Sequence, residues 1–353
     1  MKLSTSILVT SLVASAICAS HAFAKDIIDS DIKRLRFLAK QVAPQSTTGS
    51  YTFTINCHTN PSLLKRAIEQ VRWPVDEITF AIQGQCQGPI KIARRGITIS
   101  GSDNTQDVVS AALSGVQPTI LVESGSVKLN NLGLVSTAQQ SSVTVTAQGM
   151  ARLDNVTTQV QGTEPEYHYI VTDNSNLYLS NLNQAKVKIA GGAFAEFVSA
   201  NQAMTAYVFD TANARSTQGN QFDAVQVAGN GYFLADGQSH INRLMIWSKG
   251  AAEIDQQSSV GELMMGGQTL FAAYRNSTLS GPYSFFGNVV FELEHSSATN
   301  WVTQERPHSL FSGNNAVVNG ELFPSWSWQG QAPQPEQPVL KNNELAHSLS
   351  TSG

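Results

Sequence analysis

One short motif recurs in the middle of the chain. Val127-Lys128-Leu129-Asn130-Asn131-Leu132 returns as Ala151-Arg152-Leu153-Asp154-Asn155-Val156, and again as Leu177-Tyr178-Leu179-Ser180-Asn181-Leu182. The common form is apolar-x-Leu-x-Asn-apolar, and its leucines are 24 and 26 residues apart. Gly125, Gly149 and Ser175 stand ahead of the three copies, where a turn suits them. Weaker echoes run through Tyr232-Phe233-Leu234, Ala252-Glu253-Ile254 and Ser277-Thr278-Leu279, with spacings of 20 and 25. From Gly88 onward the flanking sequence is short alternating strands, such as Ile97-Thr98-Ile99 and Val143-Thr144-Val145. A period in the twenties, built from strands with no helix inside it, predicts a coil of β-strands. A leucine-rich repeat has a similar period but needs a longer Leu-x-x-Leu-x-Leu-x-x-Asn consensus, absent here.

In such a coil successive turns stack with their strands about 4.8 Å apart, and alternate residues point inward. Leu129, Leu153 and Leu179 then form one apolar ladder. Asn131, Asn155 and Asn181, two places on, fall at the bend, where their amides can bond the turn backbone and the Asn of the next coil. About 230 residues at about 23 per coil give on the order of ten coils. The predicted class is all-β: a right-handed, single-stranded parallel β-helix with a short helical cap at its N-terminal end.

The ends follow from the same logic. A solenoid's open end exposes strand edges and core, and needs cover. Apolar residues at helical spacing over 27–42 (Ile28, Ile32, Leu35, Leu38) and over 61–72 (Leu63, Leu64, Ala67, Ile68, Val71) supply it. Asn60-Pro61 reads as the start of the second helix. The opening of the chain has Lys2, an uncharged apolar run from Ile7 to Ala19, and Ala22-Phe23-Ala24. This reads as a secretory signal cleaved before Lys25. The apolar run is too short for a membrane span. The predicted organisation is 1–24 signal peptide, 25–87 cap region, 88–320 solenoid and 321–353 a Pro- and Gln-rich tail.

An exported chain meets an oxidising compartment. Cys57 and Cys86 then read as a disulfide, with two separate buried thiols as the alternative. A 29-residue loop would contribute roughly 3–4 kcal/mol by chain entropy. Charged residues are only 14% of the chain, and the net charge is −4 with no basic block. That excludes a coiled coil and makes nucleic acid a poor partner.

The region 50–320 resembles secreted parallel β-helix proteins of the pectin-lyase-like superfamily. The resemblance lies in Cys57 followed by Ser62-Leu63-Leu64, then Gly84-Gln85-Cys86-Gln87-Gly88, then a first coil from Ile90 to Gly101. It implies a polysaccharide partner and, for an enzyme, lyase, glycoside hydrolase or epimerase activity. The carboxylate motifs of the hydrolases are missing; Thr172-Asp173-Asn174 is the nearest fragment. Calcium is a candidate cofactor only for a lyase, and no dense acidic cluster is present to hold it.

The repeat register itself nominates a surface. If Leu129, Leu153 and Leu179 point in, Lys128, Arg152 and Tyr178 point out in one row, with Asn130, Asp154 and Ser180 in the next outward row. Tyr can stack on a sugar ring, and Arg or Lys can pair with a uronate. Lys128, Arg152, Asp154 and Tyr178 are therefore the candidate ligand-binding residues. Arg152, Tyr178 and His168, which follows the extra residues 161–166, are candidates for catalysis by β-elimination. The plain alternatives are a solvated solenoid face and a structural histidine. Lys249 and Arg275, 26 residues apart, form a second basic pair. Glu292, Glu294 and His295 alternate along a strand, without a third distant ligand for a metal. The expected function is an exported β-helix that binds an acidic polysaccharide as a matrix or envelope component. A polysaccharide lyase is the alternative.

Overall fold

The structure, a computed structural model, describes residues 30–40, 50–111, 116–137, 139–162, 164–301 and 309–330. The expected signal segment and the Pro- and Gln-rich run at 332–338 lie outside these residues. Within them the chain forms an all-β parallel solenoid of about 11 turns, with a helix near the N-terminus. No helix among the described residues is long and apolar enough to cross a membrane.

Three stacks of parallel strands make up the coil. The first holds the repeat motif, in the strands Ser126–Asn130, Met150–Asp154 and Asn176–Ser180. The second holds Ile120–Glu123, Val143–Thr146, Tyr169–Val171 and Lys186–Ile189. In the N-terminal half a third stack forms a separate four-stranded sheet, from Gln85–Gln87 to Thr157–Gln161. Leu129 pairs with Leu153, and Leu153 with Leu179, as the inward ladder requires. All three are at most 1% exposed.

The motif's asparagine is the residue that turns the corner. Asn131, Asn155 and Asn181 have φ of 51°, 52° and 55°, a left-handed conformation that asparagine tolerates better than most side chains. Their amides stitch the coils together. Asn155 Nδ2 donates to Asn131 Oδ1 at 2.7 Å, and Asn181 Nδ2 donates to Asp154 Oδ1 at 2.6 Å.

Beyond Leu179 the period contracts. Ala195, Ala214, Phe233, Ala252 and Phe271 are successive partners at 19-residue steps. The Ser277-Thr278-Leu279 echo is therefore not the next copy after Ala252. Leu279 pairs with Val260 and Ala298 in the third stack, which here merges into the second within the strands Gln221–Val227, His240–Ser248 and Ser259–Ala273. A buried polar column marks the shorter period: Asn201, Asn220, Ser239, Ser258, Ser277 and Ser296, none more than 4% exposed. These side chains satisfy the tight turns. Asn220 Nδ2 donates to Phe197 O at 2.7 Å, and Ser239 Oγ donates to Asp236 O at 2.8 Å. Buried turn backbone left without such partners would cost about 1–3 kcal/mol per group.

The two ends are built differently. Helix α1, residues 30–40, buries Ile32, Leu35 and Ala39. Helix α2, Leu63–Gln70, buries Leu63, Leu64, Ala67 and Ile68 and starts after Ser62, two residues later than Asn60-Pro61 suggests. The Trp73 indole ties it down by donating to Ala67 O at 2.9 Å. Cys57 and Cys86 are bonded, joining the end of the first strand to the first strand of the third stack. The rungs Ser50–Asn56 and Glu77–Gln83 already belong to the first stack, so the solenoid begins inside the expected cap region. At the far end Glu321–Gly330 runs antiparallel to Ser309–Val318, so a strand extends into the expected tail.

Candidate functional site

The outward row falls where the repeat places it. Lys128 pairs with Arg152, Arg152 with Tyr178, and the row continues through Glu196 and Arg215. Lys128 and Arg152 are exposed and Tyr178 is half-buried. The Arg152 guanidinium carbon lies 4.6 Å from the centre of the Tyr178 ring, a cation–π contact that holds both side chains against the sheet. Phe194 meets the Tyr178 ring edge-on at 6.3 Å.

The cations of this row differ in their pairing. Arg215 Nη2 lies 2.9 Å from Asp236 Oδ2. Lys128 and Arg152 make no ion pair among the described residues. Asp154, the nearest carboxylate in the adjoining row, accepts from the Asn181 amide instead. An unpaired lysine and arginine on consecutive rungs, next to a tyrosine, can take two anionic groups and one apolar ring face from an extended ligand.

His168 is placed elsewhere. It opens the second stack, is 3% exposed, and accepts from the Lys186 backbone N–H through Nδ1 at 3.1 Å. Its Nε2 lies 3.5 Å from Glu164 Oε1. Burial holds its pKa below the usual histidine value; Glu164 opposes this and Lys186 adds to it. Arg152 and Tyr178 lie in the first stack, so His168 does not join them. The flanking Tyr169 is buried, with its hydroxyl 2.7 Å from Thr158 Oγ1. Burial raises that hydroxyl's pKa to about 12, although the Thr158 bond works against it.

The other candidates separate. With a 19-residue period here, 26 residues do not bring Lys249 and Arg275 together. Lys249 sits at the turn from the second stack into the first, whereas Arg275 follows the first stack and pairs with Asp255, its Nε 2.6 Å from Oδ1. Hydrogen bonding by Arg275 lowers the Asp255 pKa despite partial burial. Glu292 and Glu294 alternate on one strand, and His295 occupies the following turn with φ 49° and a 3.2 Å contact to Asn315. Among the described residues no three His, Cys, Asp or Glu side chains come together as a metal site would.

Sequence reasoning missed Glu196 and Arg215 as the continuation of the row. The signal was present in the 18- and 19-residue steps after Leu179, which a period of 24–26 conceals. Comparison of the chain with protein-family models, with curated proteins and with solved structures found no match.

Proposed function

We propose that the protein is an exported β-solenoid that binds an anionic polysaccharide along its first stack. Lys128 and Arg152 pair with acidic groups on the sugar chain, and Tyr178 takes the apolar face of a neighbouring ring. One observation carries this reading: the two unpaired cations and the tyrosine occupy consecutive rungs of a single row. The rung spacing of about 4.8 Å is close to the length of one sugar unit in an extended glycan, so one rung can serve one sugar. The mature chain's net negative charge means that attraction is local to the row. The Cys57–Cys86 disulfide supports an oxidising location. Binding is favoured over β-elimination because the candidate base, His168, is buried in a different stack.

The test is affinity for polygalacturonate across a salt series. Replacing Lys128 and Arg152 by Ser should weaken binding about tenfold at low salt and flatten the salt dependence. Tyr178→Ala should weaken binding at every salt concentration. A triple variant that binds as the parent does would remove this face from the reading. Release of unsaturated uronate by the parent would replace binding with lyase activity.

A further inference from the structure

The row of Lys128, Arg152 and Tyr178 does not end at Arg215. It runs on through Leu234 and Glu253 to Ala272 and Glu292. Along the axis its charges change sign. Lys128 and Arg152 lie at the N-terminal end, Glu196 and Arg215 are neighbours in the middle, and Glu253 and Glu292 lie at the far end. Glu196, Glu253 and Glu292 make no ion pair among the described residues. Glu253 accepts from the Tyr232 hydroxyl, which leaves other lone pairs of its carboxylate open. Burial raises the Tyr274 pKa, and Glu292, Glu253 and Glu294 add to the rise. The far end of the row is thus a negative field, and Arg275 beside it is taken by Asp255.

Such a row is complementary to its own reversed copy. A half-turn about an axis lying in the sheet face along the strands, midway between the Glu196 and Arg215 rungs, brings a second copy face to face with the first. The two solenoids are then antiparallel, and their equal rung spacing keeps the match along the whole row. Glu196 faces the partner's Arg215, Tyr178 faces the partner's Leu234, and Arg152 faces the partner's Glu253. Lys128 falls opposite the partner's Ala272, one rung from the partner's Glu253 and one from the partner's Glu292. Each contact occurs twice, as an isologous interface requires. A shift of one rung either way sets Glu196 or Arg215 against its own counterpart. Parallel solenoids related by a half-turn set every charge of the row against its like. In the adjoining outward row Asp154 faces the partner's Asp255, whose charge Arg275 already balances.

We infer that the protein associates with a second copy of itself, antiparallel, through this face. The strip from Lys128 to Glu292 is about 38 Å long and about 16 Å wide. Each copy therefore buries about 600 Å² and the pair about 1,200 Å², at the low end for a specific interface. Association of this kind is reversible, is driven by charge, and weakens with salt. It also occupies Lys128 and Arg152, so a second copy and an acidic polysaccharide compete for the same cations. The inference itself does not rest on the glycan reading.

The experiment is sedimentation velocity of the full chain at about 0.02 M and about 0.5 M ionic strength. The parent should form a dimer at the lower salt, in a concentration-dependent equilibrium, and run as a monomer at the higher. Arg152→Glu and Glu253→Arg should each weaken self-association about tenfold or more, since either homodimer holds two like pairs; melting temperature is checked alongside. An equal mixture of the two variants should dimerise about tenfold more tightly than either alone, because one of its pairs is reversed in sign and the other is unchanged. A parent that is monomeric at both salts, variants that self-associate like the parent, or a mixture no tighter than its components overturns the inference. Titration with polygalacturonate at dilutions where the chain is monomeric tests the glycan reading separately, so the two fail independently.

Discussion

Asn201 and Asn220, 19 residues apart, are hydrogen-bonded to each other inside the solenoid. Oδ1 of Asn220 accepts from both Nδ2 and the backbone N–H of Asn201, at 2.8 and 3.1 Å. Oδ1 of Asn201 in turn accepts from the Leu182 N–H at 3.1 Å. Side chains thus take over part of the backbone pairing where the coil shortens from 26 residues to 18 and 19. Asn220→Ala would leave the Asn201 backbone N–H and one Nδ2 hydrogen without their acceptor in a buried turn, while the Phe197 carbonyl would keep the Thr217 N–H. The expected loss is about 3 kcal/mol or more, read as a shift of the urea midpoint. Asn220→Asp should be no better, since a carboxylate cannot donate to Phe197. A midpoint within experimental error of the parent would show that the turn finds other partners.

Leu153 and Arg152 are neighbours that point opposite ways. Leu153, 1% exposed, lies between Leu129 and Leu179 in the core. Leu153→Asp places a charge in that ladder and should abolish soluble folded protein. Arg152→Ala should change stability by no more than about 0.5 kcal/mol. Thermal melts of the two variants measure this difference, and equal effects would contradict the register.

His168 gives stability a pH dependence. Its folded pKa is depressed by burial, and its Nδ1 must be unprotonated to accept from Lys186. The folded state therefore binds the proton less readily than the unfolded state does. The stability is complete above the unfolded value of about 6.5 and is lost as pH falls toward the folded pKa. Melting temperature should drop between pH 7.5 and 5.5 in the parent, and His168→Gln should drop less. The same slope in both proteins would assign the dependence to other groups.

The parts of the fold that could be read from the sequence are those where one residue type is repeated. Leu129, Leu153 and Leu179 are identical, each is followed by an Asn at the bend, and a side-chain period of two settles which neighbours face outward. That suffices for the strand stack and for the row Lys128, Arg152 and Tyr178. The 19-residue coils are harder to see because their core positions alternate in size: Ala195, Ala214, Phe233, Ala252 and Phe271 fill one column. A packed interior constrains summed volume across a layer more tightly than identity at one place. What stays similar is the buried polar column from Asn201 to Ser296, and short polar residues read as loop in a sequence.

The uniform 19-residue step from Ala195 to Phe271 makes these coils interchangeable in length. Removing residues 232–250 would bring Ala251 to the position Tyr232 now holds, with Ala252 beside Ala214 and Ser258 beside Asn220. Removing one residue more or fewer would instead turn the strand's inner face outward. Between Ala195 and Phe271, the change in length that keeps the register is a whole coil, about 4.8 Å of axis. The earlier half, with steps of 24, 26 and 30 residues, absorbs odd lengths in its turns. One chain therefore joins a segment of unequal turns to a segment, from Ala195 to Phe271, whose equal turns can be duplicated or lost whole with the register kept.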